Sequence, residues 1–262
     1  MRTLQAIGFD LFNTLITVEA NALQIAVGRL VGSLTENGFP IDETRFNKAH
    51  REAAIRFIAE TRVTGRETHN RFWISAALQA VGFEVDPDDP RIAQAINAYF
   101  SAFHESARLI PGTAEMLSEL RRRYRLGLLS NFTHGPAAWK ILDSLGLTEH
   151  FDTILISGEL GYRKPHPLVF ERLMEELGVE AQDLIYIGDD PEPDIEGPCQ
   201  VGIQPIWTTY VWDRNIPFAP GIATIKNYQP KREVPRISEW KDLLSLLESN
   251  GTPESCPPPE SE

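Results

Sequence analysis

Apolar and polar residues fall along this chain in short blocks with two different periods. Residues 4–10 form a brief apolar stretch that ends on Asp10, and stretches of similar length recur at 124–130, 153–157, 184–188 and 204–208. Each has the length of a buried strand. Between them Phe170, Leu173, Met174 and Leu177 repeat at the helical period, as do the apolar residues of 135–145 more loosely. Alternating strands and helices predict an α/β fold with a doubly wound parallel sheet. In such sheets the ligand site lies beyond the carboxyl ends of the strands, where these stretches place their polar residues.

Residues 17–108 break the alternation. Leu23, Val27, Leu30, Val31 and Leu34 mark one amphipathic helix, and 46–60, 69–81 and 91–104 carry further helical patterns. They predict an all-helical insert that leaves the core just after Asp10 and rejoins it before Pro111-Gly112, placed to close over the strand ends as a lid. The expected division is a core of residues 1–16 and 109–248 and an inserted all-α cap of residues 17–108. Residues 249–262, rich in Pro, Ser and Glu, read as a disordered tail.

Four polar clusters end four of the predicted strands or follow them closely: Asp10-Leu-Phe-Asn-Thr14, Ser130-Asn131, Lys164-Pro165 and Gly188-Asp-Asp-Pro-Glu-Pro-Asp194. Taken singly, an acid at a strand end is most often a cap or turn former, and a lone lysine is usually solvated. Together, and in this order, the clusters resemble the four motifs of the haloacid dehalogenase superfamily over roughly residues 4–210, with the helical insert resembling that family's C1-type cap. The resemblance implies a Rossmann-like core and a hydrolase in which Asp10 is a covalent nucleophile and also a metal ligand. It implies that Ser130 and the Asn131 backbone N–H hold the transferring group, that Thr14 bonds Asp10 or a phosphate oxygen, and that Lys164 orients Asp10 and offsets anionic charge. Asp189 and the Phe12 backbone carbonyl would complete a Mg²⁺ site, with Asp194 supporting it through a metal-bound water or Lys164. Asp190, directly before Pro191, reads as a helix N-cap.

One position departs from the pattern. Most phosphatases of this family carry a second Asp two residues after the nucleophile as general acid and base, a function worth roughly 10²–10⁴ in rate. Here that residue is Phe12. An aromatic side chain there resembles the 2-haloacid dehalogenases, whose halide leaving group needs no proton. The acids at 189 and 194 favour Mg²⁺-dependent phosphoryl transfer instead, because without a cation they would repel each other and Asp10. The expected activity is therefore a phosphohydrolase acting on a small soluble organophosphate. Hydrolytic dehalogenation and a catalytically weak ligand-binding member are the alternatives. Phosphonoacetaldehyde hydrolase, a third resemblance, uses a cap lysine, but Lys48 is the sole lysine of the insert and reads as a solvated helix residue. In the same insert Arg62, Arg66, His69 and Arg71 surround Gly65 in a predicted turn where an anionic substrate could meet them, and Trp73 reads as cap core.

Composition narrows the partners. A formal net charge of −12 argues against a nucleic-acid backbone or an anionic membrane as the main partner. An anionic small molecule must then meet a local positive site. Cys199 and Cys256 are too few for a disulfide framework or zinc site, the first residues lack a signal-peptide pattern, and no apolar run reaches the ~20 residues of a membrane span. A cytoplasmic location is the resulting expectation.

Overall fold

The computed structural model describes residues 4–218 and 229–248; the predicted tail at 249–262 lies outside the described residues. Strand β1 (Ala6–Phe9) leads through a tight loop to β2 (Ile16–Thr17), and helices α1 (Ala22–Glu36), α2 (Glu43–Thr64), α3 (Asn70–Ala80) and α4 (Pro90–Ser106) follow. The chain returns through β3 (Arg108–Leu109) to α5 (Thr113–Leu120), β4 (Arg125–Ser130), α6 (Gly135–Ser144), β5 (Thr153–Ile156), α7 (Ser157–Leu160) and α8 (Pro167–Leu177). Next come β6 (Leu184–Gly188), a wide helical turn over Pro191–Glu196, α9 (Gly197–Gln200), β7 (Gln204–Thr208), α10 (Tyr210–Asp213), β8 (Arg236–Ile237) and α11 (Trp240–Glu248).

Six strands form one parallel sheet in the order β5-β4-β1-β6-β7-β8. After β1 the chain builds outward through β4 and β5, then crosses to the other side of β1 for β6. The switch in direction therefore falls at the carboxyl end of β1, between the ends of β4 and β6. A crevice forms at such a point because successive connections leave on opposite faces.

Burial on both faces explains why the strands read as unbroken apolar runs. Ile7, Phe9, Leu126, Leu128, Ile185 and Ile187 join one cluster with Ile141 and Leu142 of α6. Ala6, Leu129, Leu184 and Tyr186 join the other, with Val169, Phe170, Leu173 and Leu177 of α8. Gly8 faces α8, and a Cβ there would lie 2.7 Å from Tyr186 Cδ2. Glycine at this position gives the Tyr186 ring room beside β1.

The four helices of 22–106 begin and end on a paired doorway. Ile16 opposes Leu109 and Thr17 opposes Arg108 in an antiparallel pair, so the chain departs and returns side by side. Within the insert α1 packs on α4 and α2 on α3. Leu30, Leu34, Ile96, Phe100 and Phe103 belong to the same apolar cluster as one face of the sheet, with Leu11, Phe12, Leu15 and Ile16 at the junction. The helix predicted at 46–60 extends to Glu43–Thr64 because its ends are chemically marked: Asp42 accepts from the Arg45 N–H at 2.8 Å, and Gly65 takes the left-handed conformation, φ 68°.

His50 on α2 is buried, stacked on Phe46 at 6.0 Å and edge-on to Tyr99 at 6.3 Å. Burial lowers its pKa to about 4. The unfolded chain, with an ordinary histidine near 6.5, takes up the proton first, so this residue's contribution to stability falls as pH drops from about 6.5 towards about 4. We expect His50→Gln to flatten the wild-type dependence of urea midpoint on pH in that window, by up to about 3 kcal/mol across it.

Candidate active site

The loop after β1 turns sharply. Asn13 takes a positive φ of 60°, its N–H donates to the Ile16 carbonyl at 2.7 Å, and the Leu15 and Ile16 N–H groups both donate to the Leu11 carbonyl. Asn tolerates this conformation better than most residues. The turn leaves Asp10 at the strand end, its own N–H donating to the Ile187 carbonyl of β6 at 2.9 Å.

Lys164 lies at the centre of the site. Its ammonium is buried and donates to Asp10 Oδ1 at 2.7 Å, to Asp194 Oδ1 at 2.7 Å and to the Tyr186 hydroxyl at 2.8 Å. All its N–H donors are thereby used. Tyr186 in turn donates to the Leu129 carbonyl at 2.9 Å. The Asn131 side chain clasps the Lys164 main chain from both sides: Nδ2 donates to the Lys164 carbonyl at 2.9 Å, and the Lys164 N–H donates to Oδ1 at 2.8 Å. A cis peptide joins Lys164 to Pro165. Asn131, expected to act through its backbone N–H, thus has its side chain engaged in holding the lysine.

The cluster after β6 is equally constrained. Asp194 Oδ2 accepts from the Asp190 N–H at 3.0 Å, and the Asp190 carboxylate accepts from the Glu192 N–H at 3.4 Å as an N-cap with Pro191 behind it. Asp194 packs so closely on Gly188 that a Cβ there would lie 2.4 Å from its side chain. Trp207 of β7 donates from Nε1 to the Asp189 carbonyl at 2.9 Å. Thr14 is fully buried, and its hydroxyl donates to Asp189 Oδ1 at 3.5 Å, so the structure sets it against the fourth cluster and away from the cavity lining.

Asp10, Asp189 and Asp194 are buried, and one carboxylate oxygen from each lies within 4.8 Å of the others. Burial pushes Asp10 up to about 6, with Lys164 opposing the shift and Asp194 adding to it. Burial opposes the charge on Lys164, but Asp10 and Asp194 outweigh it and hold the ammonium well above its ordinary range. Asp190 rises to about 7, first from burial and then from Asp194. A single ammonium does not neutralise this many acids. The donor set is all oxygen and carries surplus negative charge, so the residues present fit a hard divalent cation.

A cavity of about 560 Å³ opens beside the carboxylates, lined by Asp10, Ser130, Lys164 and Asp189 on one side and by Phe12, Phe100, Phe132 and Trp73 on another. Of the cationic residues predicted around Gly65, Arg62 lines it. The others are engaged elsewhere. Arg66 lies over the Tyr162 ring at 5.7 Å, Arg71 pairs with Asp88 at 2.7 Å, and His69 Nε2 shares a 3.0 Å hydrogen bond with His134 Nδ1. Trp73 joins a small cluster with Ala53 and Ala54. Lys48 is exposed on α2 and outside the cavity. Sequence reasoning missed Tyr186, whereas Arg163, open from the sequence as a substitute for Lys164, lines the cavity beside it and pairs with Glu67 at 3.5 Å. A tyrosine in an otherwise aliphatic strand was the available signal for Tyr186.

A carboxylate at a sheet's switch point, held by a buried lysine beside an acidic cluster and an open cavity, defines a hydrolase site. The chain belongs to the haloacid dehalogenase-like hydrolases, whose family model matches residues 4–202. It is 26% identical over 211 residues to glyceraldehyde 3-phosphate phosphatase of Pyrococcus furiosus, covering 80% of this chain and 82% of the relative. It is 28% identical over 205 residues to ribulose-1,5-bisphosphate 5-phosphatase of Halopiger xanaduensis, covering 77% and 83%. Among solved structures it is similar to a 2-haloacid dehalogenase from Pseudomonas syringae pv. Tomato DC3000, with a TM-score of 0.71, 21% identity and coverage of 94% of this chain and 99% of that one. That likeness shows the shared fold. No helix among the described residues is long and apolar enough to cross a membrane.

Removing the ammonium leaves Asp10 and Asp194 buried without their shared cation. In metal-free buffer, Lys164→Met should lose about 3–5 kcal/mol of stability near neutral pH. The deficit should shrink as pH falls and the carboxyls protonate. Urea melts of the variant and the wild type at pH 5 and pH 8 measure both effects, and equal midpoints would contradict the assignment.

Proposed function

We propose that the protein is a Mg²⁺-dependent phosphohydrolase acting on a small organophosphate through an aspartyl phosphate on Asp10. The observation that carries this reading is the surplus of buried carboxylate around one ammonium beside an open cavity. Metal-free dehalogenation has no need of it. The phosphatase names of both curated relatives support the same choice.

In this reading Asp10 Oδ1 stays with Lys164, and Oδ2 attacks phosphorus in line with the leaving oxygen. Ser130 and the Asn131 backbone N–H receive the phosphoryl oxygens, and Lys164 holds Asp10 in its attacking orientation while offsetting charge. Thr14 positions Asp189 from behind the site. Asp10, Asp189 and the Phe12 carbonyl would hold the Mg²⁺, with Asp194 supporting through Lys164. The bound ion would supply electrostatic stabilisation of the transferring group. Arg62, free of ion pairs among the described residues, offers positive charge to an incoming anion on a chain that is acidic overall. Helices α1–α4 serve as the cap over the strand ends, with the β2–β3 pair as its hinge.

Phe12 favours a second reading, hydrolytic dehalogenation of a small 2-haloacid, because a halide leaves without a proton. The two separate cleanly in one assay. With an activated aryl phosphate and Mg²⁺, phosphate release is expected from the wild type, with loss on chelation, recovery on adding Mg²⁺, and a fall of more than about 10³-fold in Asp10→Asn. Halide release that persists in chelator and disappears in Asp10→Asn would establish the alternative instead.

Phe12→Asp restores a carboxyl to the family's usual acid position. It should raise turnover of an unactivated alkyl phosphate by up to about 10²-fold while changing that of an activated ester much less. An unchanged rate on the alkyl ester would show that another group already supplies the proton.

A further inference from the structure

The side of the cavity next to the nucleophile is an aromatic wall. Phe12 stacks on Phe132 with ring centroids 5.3 Å apart and planes 8° from parallel, and Phe132 meets Phe100 at 5.0 Å. All three are nearly buried and all line the cavity. Several neighbouring polar groups are already occupied; exceptions in the lining are Arg62 and the Trp73 indole N–H, which has no partner among the described residues. Thr61 bonds Thr68, Thr133 donates to Asn70, and the Asn131 amide holds the Lys164 main chain. A polyol pressed against this wall would surrender its hydration for little in return. A flat apolar group would gain contact area and offset or edge-to-face stacking.

The same residue imposes a chemical demand. Phe12 has no proton to give, so an alcohol with a high pKa leaves poorly, whereas a phenol leaves as its anion. Shape and chemistry converge. We propose that the preferred substrates are aryl phosphate monoesters, with the ring of the leaving group against Phe12, Phe132 and Phe100; this rests on the phosphohydrolase reading above.

The step balances without a further reactant. Asp10 Oδ2 forms a bond to phosphorus as the bond from phosphorus to the phenolic oxygen breaks, and that electron pair leaves on the phenolate, which takes a proton from solvent. Water then adds to phosphorus and the bond to Asp10 breaks, its pair returning to the carboxylate. One proton of the water stays on the released phosphate and the other passes to solvent.

Three esters assayed with Mg²⁺ test the proposal: phenyl phosphate, 2-phenylethyl phosphate and glycerol 1-phosphate. The last two share an unactivated primary alcohol, so their ratio reads the wall alone. We expect kcat/KM to be at least about tenfold higher for the phenylethyl ester, and highest of all for phenyl phosphate. Phenylphosphonate should inhibit the wild type at least about tenfold more tightly than methylphosphonate. Phe132→Ala, checked for native circular dichroism, should reduce both preferences. Glycerol 1-phosphate turned over as well as the phenylethyl ester, or equal inhibition by the two phosphonates, overturns this inference and leaves the phosphohydrolase reading standing. Release of phosphate from none of the esters overturns both.

Discussion

The ammonium of Lys164 is buried between two carboxylates and a phenol, and the other parts of the site are arranged around it. Burying an ion of this kind costs on the order of several kcal/mol, offset only if every donor finds an acceptor in good geometry. Each acceptor has its own structural requirement. Tyr186 reaches Lys164 on the α8 face, where Gly8 of the adjacent strand leaves room for its ring, and Asp194 reaches it because Gly188 admits its side chain. Asn131 grips the backbone on either side of the lysine's Cα. The switch point of the sheet brings Asp10, Ser130 and Asp189 to one place, and the lysine network fixes the orientation of the Asp10 carboxylate there.

Much of this was legible in the chain. The strands at 6–9, 125–130, 153–156, 184–188 and 204–208 were visible because parallel strands buried on both faces are apolar throughout. Asp10, Ser130, Lys164, Asp189 and Asp194 stood out only together, because their four clusters in this order resemble the four motifs of the haloacid dehalogenase superfamily. The two-residue strands β2, β3 and β8 were not visible, since two residues carry no period and their pairing depends on partners distant in sequence. Tyr186 looked like strand core, as its ring is; its role depends on the one polar atom at its tip, which periodicity does not report. Thr14 was assigned to the nucleophile or a phosphate because it is near Asp10 in sequence. The fold turns it towards Asp189.

The cationic turn around Gly65 illustrates a different limit. Four charged or titratable side chains within ten residues suggested an anion site, yet three are engaged by neighbours the sequence places far away: Tyr162, Asp88 and His134. Close approach of the chain is the cause. A Cβ on Gly65 would collide with His166, the Arg163 N–H donates to the Gly65 carbonyl, and Glu67 accepts from Ser157 at 2.5 Å. Residues 65–70 therefore dock on the loops after β4 and β5. Only Arg62, one turn back on α2, keeps its charge for the cavity.

That docking links the choice of substrate to the position of the helices. Phe100, on α4, contacts Phe132 on the loop after β4, and also stacks on His134, whose other face of contacts includes His69 at the start of α3. The aromatic wall is thus assembled from both sides of the cavity: Phe12 and Phe132 belong to the sheet loops, and Phe100 to the inserted helices. Burial lowers His134 to about 4, with His69 and Lys140 adding to the effect, so the shared imidazole contact is neutral near pH 7 and presents no charge to the rings it packs on. An acid at position 12 would break this continuity by placing a charge beside the Phe132 and Phe100 rings, at a desolvation cost that a carboxylate open to water does not carry. The loss of the usual proton donor and the gain of an apolar wall follow from the same substitution.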